Sequence, residues 1–188
     1  MKSAHQVHGV TLIELLVAIV VLSIGIIVAG PGFSTIGGSS KLESQSREIQ
    51  NALVFARTEA IRLNQNVVFC HSSDSQVCSA PPTSGWSGWL IRAAGAAIGA
   101  ETGPVLRAQP FTSTTVTISS GEVLTTAQHV IRFNSQGLIR EFGNNTPLSD
   151  MIRICIADRS LDPNMYEVRF SSGGRLQQVT QNTDGDCS

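Results

Sequence analysis

The chain has 188 residues, four cysteines, few aromatic residues and a formal net charge of −1. This length accommodates one modest globular domain plus an anchor, so we expect no second folded domain. The near-zero charge gives no global electrostatic footprint for nucleic acid or for an anionic membrane, and partners must be inferred from local features.

An apolar block from residue 10 to residue 30 dominates the N-terminal region. It carries a single ionisable side chain, Glu14. At about 1.5 Å per residue the block spans roughly 30 Å as a helix, enough for the core of a bilayer. The polar segment before it contains Lys2, whose charge favours a cytoplasmic N-terminus. The sequence therefore predicts a single-pass transmembrane helix over 10–30, with the remainder of the chain outside the cytoplasm.

The polar start of the chain meets the apolar block abruptly at Gly9, unlike an ordinary secretory signal, whose cleavage site follows its apolar stretch. The run Gly9-Val10-Thr11-Leu12-Ile13-Glu14 resembles the type III leader signature of type IV prepilins and pseudopilins, in which the peptidase cuts after the glycine. The resemblance implies a leader over 1–9 and a mature chain that begins at Val10 with a methylated amino group. Val10 departs from the phenylalanine that the family usually has there.

Glu14 is the one carboxylate within the apolar block. Such a group is costly in a membrane and normally persists where it pairs or acts. The resemblance to prepilins implies that its partner is the freed N-terminal amine of an adjacent subunit, a contact that would set the axial stagger of helices in a filament. The alternative is a carboxylate near a helix end that merely reaches the headgroup region.

The apolar block is followed directly by Pro31, which lies between Gly30 and Gly32. A proline removes one helical hydrogen bond and clashes with the preceding turn, so a kink or local melting is predicted there. Gly37 and Gly38 predict a flexible joint.

Beyond the joint, apolar residues recur at steps of three and four, which indicates an amphipathic helix within the segment 31–65. We expect one face of it to lie on a sheet. The opposite face is expected to be solvated and carries Arg47, Glu48, Arg57 and Arg62.

After residue 66 the hydrophobic period changes, and short apolar runs alternate with turn-forming residues. Seven short strands are predicted: 67–70, 86–91, 116–119, 130–133, 152–157, 166–170 and 176–180. Short strands after one long helix indicate an α+β fold, with an antiparallel sheet packed on the helix. We refer to residues 66–188 as the head.

The order of several motifs resembles the GspH/FimT family of minor pilins and pseudopilins. They are Ala52-Leu53, Ala56 to Ile61, Val67 to Cys70, Cys78, Gly85-Trp86-Ser87-Gly88-Trp89, Arg132-Phe133-Asn134 to Gly137, and Ser172-Gly173-Gly174-Arg175. The resemblance implies a type IV pilin fold and a subunit for the tip or initiating complex of a type IV pilus or a type II secretion pseudopilus. It also implies a bacterial inner-membrane location with a periplasmic head. The implied partners are other major and minor pilins or pseudopilins and the prepilin peptidase.

All four cysteines lie after the apolar block, and an even count there suggests two disulfides and an oxidising compartment such as the bacterial periplasm. Pairing Cys70 with Cys78 and Cys155 with Cys187 would close one small loop and staple the tail, but the other two connectivities stay open. The alternative to two disulfides is a zinc site in which His71 joins the cysteines as a ligand. The cysteines lack paired short spacings, so we expect no metal and no other cofactor.

The spacing of the histidines, serines and carboxylates signals no catalytic arrangement, and we do not expect an enzyme. The alternative function is DNA binding for natural transformation, as in some FimT-like proteins, where a Gly-Arg-x-Arg element contributes. Here Arg175 keeps the first arginine, but Gln177 replaces the second. The carboxylates of Asp184 and Asp186 in the tail would repel phosphates, so DNA is the less favoured partner.

Overall fold

The computed structural model describes residues 11–95 and 103–187, without the side chains of 26–36 and Gly95. The chain divides into two compact units, Met1–Gly37 and Gly38–Ser188. The described part of the first unit consists of helix. The second unit contains helix and all the strands that the structure describes.

Helix α1 extends from Leu12 to Leu63, a length of 52 residues. It continues through Gly37 and Gly38, so the flexible joint predicted there is wrong at the level of secondary structure. Gly38 instead allows a close approach, because an added Cβ would lie 3.0 Å from Leu161 Cδ1. The helix also continues past Pro31, which excludes the predicted local melting. A kink at Pro31 stays a prediction.

The part of the head that the structure describes consists of two antiparallel sheets and one short helix. The first sheet has the order β3-β2-β1-β5-β6, and the second has the order β4-β7-β8-β9. The elements are β1 (Asn66–His71), β2 (Gly88–Gly95), β3 (Val105–Pro110), β4 (Thr117–Ser120), α2 (Glu122–Thr126), β5 (Val130–Phe133), β6 (Ile139–Arg140), β7 (Asp150–Cys155), β8 (Met165–Phe170) and β9 (Leu176–Gln181).

The core lies between the second half of α1 and the two sheets. The helix contributes a stripe of fully buried side chains at the predicted steps of three and four, Ile49, Leu53, Ala56 and Ala60, and Leu42 extends it by seven residues. The first sheet adds Phe69, Trp89 and Phe133, and the second adds Ile152, Val168 and Phe170. Each large buried side chain contributes about 1.5–3 kcal/mol by removal from water, so this core holds the helix and both sheets together.

The charged face of α1 is less uniformly solvated than the sequence predicts. Arg47 and Arg62 are exposed, but Glu48 and Arg57 are half-buried. A Glu48 carboxylate oxygen accepts a hydrogen bond from Trp89 Nε1 at 2.9 Å, and Arg57 Nη1 donates to the carbonyl oxygen of Gly174 at 2.8 Å. These two side chains therefore tie the helix to the sheets.

Candidate functional site

The first turns of α1 present apolar side chains on every side. All side chains from Thr11 to Gly25 are exposed, with Leu12 at 83% and Ile13 at 72% of full exposure. An apolar surface of this extent on a helix requires a cover, which a bilayer or other helices can supply. Within the described residues, no helix combines the length and the apolar character that crossing a membrane demands.

Thr11 caps the start of α1, a contact that the sequence analysis missed. The backbone N–H of Glu14 approaches Thr11 Oγ1 at 3.4 Å and the Thr11 carbonyl oxygen at 3.1 Å. The signal was present, because Thr11-Leu12-Ile13-Glu14 has the spacing of a capping box. Glu14 thus lies in the first turn of the helix, where the partial positive charge of the helix end favours a carboxylate.

The two residues of the predicted cleavage site, Gly9 and Val10, lie outside the described residues. Their processing therefore stays a prediction at the level of structure.

The head contains two disulfides, Cys70–Cys78 and Cys155–Cys187, which is the neighbour pairing among the three connectivities that the sequence left open. The first closes a short loop after β1. The second joins the end of β7 to the tail, across a separation of 32 residues. The tail is also held by Asn164, whose side-chain oxygen accepts from the N–H of Thr183 at 2.7 Å.

His71 and His129 take part in two partly buried hydrogen-bond groups that the sequence analysis did not predict. His71 Nδ1 donates to the Ser79 carbonyl oxygen at 2.8 Å, so its Nε2 accepts from the Ser87 hydroxyl at 3.0 Å. His129 Nδ1 accepts from the Ser120 hydroxyl at 2.7 Å, and that oxygen accepts from Trp86 Nε1. Burial lowers the pKa of His71 and of His129, which favours the neutral rings.

Arg132 is buried and clamps the loop that follows β6. Its Nε donates to the carbonyl oxygen of Glu141, Nη1 donates to Asn66 Oδ1, and Nη2 donates to the carbonyl oxygen of Asn144 and to Asn145 Oδ1. Burial lowers the pKa of Arg132, and the nearby Arg140 adds to this effect. The arginine of the predicted Arg-Phe-Asn motif therefore has a structural role.

Arg175, the weak candidate for DNA binding, is exposed at the turn before β9. It lines a surface cavity of about 440 Å³ together with Arg57 of α1. Its Nη2 approaches Gln177 Oε1 at 3.5 Å, so the residue in the place of the second arginine is a neutral neighbour. The structure thus brings Arg175 close to Arg57.

Comparison with known proteins gives two family matches. Residues 45–184 match the model described as type II transport protein GspH, and residues 5–30 match the prokaryotic N-terminal methylation motif. A comparison with curated protein sequences finds no match.

Among solved structures, two crystal forms of the type IV minor pilin FimU from Pseudomonas aeruginosa PAO1 are similar to this chain. Both are 18% identical to it. The first has a TM-score of 0.54 and aligns over 78% of this chain and 96% of FimU; the second has a TM-score of 0.51 and aligns over 76% and 98%. This likeness confirms the predicted fold, a long N-terminal helix on an antiparallel head, as the type IV pilin fold. Because the GspH model matches well over half of the sequence, the chain belongs to the GspH family.

Proposed function

We propose that this chain is a subunit of the tip or initiating complex of a type IV pilus or a type II secretion pseudopilus. A prepilin peptidase removes residues 1–9, and residues 10–30 anchor the mature chain in the bacterial inner membrane with its head in the periplasm. The observation that carries the proposal is the order of parts: an N-terminal methylation motif over 5–30 precedes a GspH region over 45–184.

The exposed apolar side chains at the start of α1 support both stages of this account. Before assembly, lipid covers them; in the filament, the equivalent helices of neighbouring subunits do so. The hydrophobic contribution is about 25 cal/mol per Å² in either environment, so transfer between them changes little free energy. Specific polar contacts must therefore decide how far each helix is displaced along its neighbours.

Glu14 is the group that supplies such a contact in this proposal. After cleavage the amine of Val10 in an adjacent subunit is free, and it pairs with the Glu14 carboxylate at a similar depth. The first-turn position of Glu14 places its charge where the helix end already favours it. The pair therefore fixes how far one helix is displaced along its neighbour.

The two disulfides favour the pilus over the secretion pseudopilus. A head held by Cys70–Cys78 and Cys155–Cys187 suits exposure outside the cell, where disulfides persist. The other partners in this proposal are major and minor pilins of the same assembly. The function is structural and includes no catalytic step.

The proposal is tested by replacing Glu14 with Gln in the full chain and measuring its fraction in sheared filaments relative to the membrane. If the lost ion pair contributes about 1.4 kcal/mol, incorporation falls about tenfold while the membrane level is unchanged. The matched control is Glu122→Gln, an exposed carboxylate on α2. Normal incorporation of Glu14→Gln would show that the pairing is not needed.

A further inference from the structure

Strand β9 has an open edge in the second sheet. It lies at the end of the order β4-β7-β8-β9 and pairs with β8 on one side alone. Its sequence, Leu-Gln-Gln-Val-Thr-Gln, contains neither a charged residue nor a proline. Natural proteins usually protect edges of this kind with charges, prolines, bulges or a covering segment, because an open edge can pair with another strand.

The other sheet edges carry such protection. Strand β3 contains Arg107 and Pro110 and pairs with β2 across a register shift. Strand β4 is covered by the loop before β2, since the N–H of Trp86 donates to the Ile118 carbonyl oxygen at 2.8 Å. Strand β6 has two residues and a bridge to Pro147. Among the strands that the structure describes, β9 therefore stands out as a template for strand addition.

The register of β8 and β9 shows which backbone groups face outward. The N–H of Ser171 donates to the Arg175 carbonyl oxygen, and the paired positions then alternate along the antiparallel ladder. The backbone groups of Gln177 and Val179 accordingly face β8. Those of Leu176, Gln178 and Thr180 face away from it, and nothing within residues 11–95 and 103–187 bonds to them. Three residues thus offer both donors and acceptors to an added strand.

A groove lies beside this edge, between β9 and α1. We define the β9 groove by Val54, Arg57 and Ile61 of α1 and by Arg175 and Leu176. Val54 and Ile61 are 48% and 51% exposed, although most of the other apolar residues of α1 at this level are buried. The wall of the groove is therefore apolar and uncovered.

Beyond Leu176 and the groove, the open edge of β9 continues to Gln181. Thr180, near the other end of the strand, is paired with Tyr166 of β8. Ile61 of α1 lies beside the Leu176 end of the strand. An extended segment of about five residues would fit the length of this edge, at about 3.3 Å per residue.

The charge of the groove is concentrated at its Leu176 end. Arg57 is held by its bond to the Gly174 carbonyl oxygen, which leaves its buried Nε without a hydrogen-bond partner. Arg175 is exposed next to it. Within the described residues neither guanidinium makes an ion pair with a carboxylate, so an acidic side chain fits this end.

We propose that the β9 groove binds an extended segment of another pilin-like subunit by strand addition. The segment pairs with the outward backbone groups of Leu176, Gln178 and Thr180. Its side chains on the helix side cover Val54 and Ile61, and an Asp or Glu meets Arg175 and Arg57. This inference rests on the proposed function, because the partner belongs to the same assembly.

An extended protein segment matches the groove better than a nucleic acid or a helix does. A nucleic acid would use the two guanidinium groups but would leave the apolar wall and the open backbone edge without partners. A helix satisfies its own backbone and could not use that edge. An added strand provides partners for the open backbone groups of β9, for the apolar side chains of the groove and for the two guanidinium groups.

The experiment uses the full chain, expressed in cells that assemble filaments, with a photo-crosslinking amino acid at Thr180 or at Thr58. Both positions are exposed: Thr58 lines the groove and Thr180 lies on the open edge of β9. Exposed Thr125 on α2 is the control position. We expect an adduct at Thr180 and Thr58 with another pilin-like subunit, at least tenfold above the control. Mass spectrometry should place it in an extended segment that contains Asp or Glu.

Two pairs of variants separate strand addition from loss of folding. Gln178→Pro removes an outward N–H and no bond to β8, whereas Gln178→Ala keeps the N–H. We expect the adduct to fall at least tenfold in Gln178→Pro and to persist in Gln178→Ala, with the same melting temperature in both detergent-solubilised chains. Arg175→Glu should also lower it, whereas Arg175→Lys should retain most of it.

The inference is overturned if the groove positions give no adduct above Thr125, or if the adduct is DNA, lipid, a helix or a second copy of this chain. It is also overturned if Gln178→Pro leaves the adduct unchanged. Filament incorporation, measured in the same cells, separates the two proposals. A chain that enters filaments without a groove adduct contradicts strand addition alone, and a chain that never enters filaments contradicts both.

Discussion

At the scale of single residues, Arg132 shows how a buried charge is tolerated. All its acceptors are neutral carbonyl and amide oxygens, so its removal would leave several buried oxygens without donors. We expect Arg132→Met to lower the free energy of unfolding by about 3 kcal/mol, measured by denaturant titration of the solubilised chain. Exposed Arg175→Met is the control and should change it by less than about 0.5 kcal/mol. Equal effects would show that the clamp is not a stabilising contact.

His71 and His129 make stability depend on pH. Their pKa values are lowered in the folded chain, so the unfolded chain binds more protons below its ordinary histidine pKa of about 6.5. Stability is therefore fully present above about pH 6.5 and is lost as the pH falls below it. Each unit by which folding lowers a histidine pKa contributes up to about 1.4 kcal/mol to the free energy of unfolding at neutral pH.

This pH dependence is measured as the free energy of unfolding at several values between pH 7 and pH 5. In His71→Gln the slope should be smaller, with His129 supplying the remainder. A free energy that is constant or rises towards pH 5 would mean that the folded rings accept protons readily.

In the sequence, Arg132 and His71 cannot be distinguished from an exposed arginine and an exposed histidine. Arg132 is buried because the loop after β6 folds back over it, and His71 because Ser79 and Ser87 of the long connection between β1 and β2 return to it. Such contacts depend on the tertiary fold. The cap at Thr11 differs, because its motif is local and could be read from four consecutive residues.

At the scale of elements, the strands with regular apolar runs were predictable. Strand β5 has the predicted bounds, and each of the other six predicted strands overlaps an observed one. Strand β3 was missed because it is an edge strand with mostly exposed side chains, and β6 because it has two residues. Helix α2 was missed because its five residues, with one buried side chain and no side-chain cap, are too few to show a helical period of apolar residues.

The two disulfides should differ in their contributions to stability. With loops of 32 and 8 residues, loop-closure entropy gives about 3.7 kcal/mol for Cys155–Cys187 and about 2.5 kcal/mol for Cys70–Cys78. We therefore expect the double variant Cys155→Ala, Cys187→Ala to lose about 1 kcal/mol more than Cys70→Ala, Cys78→Ala. Denaturant titration without reducing agent measures both. The opposite order would indicate that the tail is held mainly by its hydrogen bonds to Asn164.

At the scale of the whole molecule, the change from an apolar block to a helical period and then to short strands was sufficient to predict a long helix packed on an antiparallel β-rich head. The type IV pilin fold itself followed from the resemblance of the leader and the later motifs to a known family. The division of the strands into two sheets was not predictable, because strand partners are set by contacts between distant parts of the sequence. The same holds for the β9 groove, which both Arg57 and Arg175 line. The two are brought together by the hydrogen bond from Arg57 to the carbonyl oxygen of Gly174, 117 residues further along the chain.

The central claim is that this chain is a processed pilin-like subunit with a disulfide-bonded head. Intact-mass analysis of the protein from its native membrane, without reducing agent, tests it most directly. The account predicts the mass of a chain that starts at Val10, plus one methyl group and minus four hydrogens for the two disulfides. An uncut chain that starts at Met1 would contradict the account and would leave a membrane-anchored protein outside the pilin pathway.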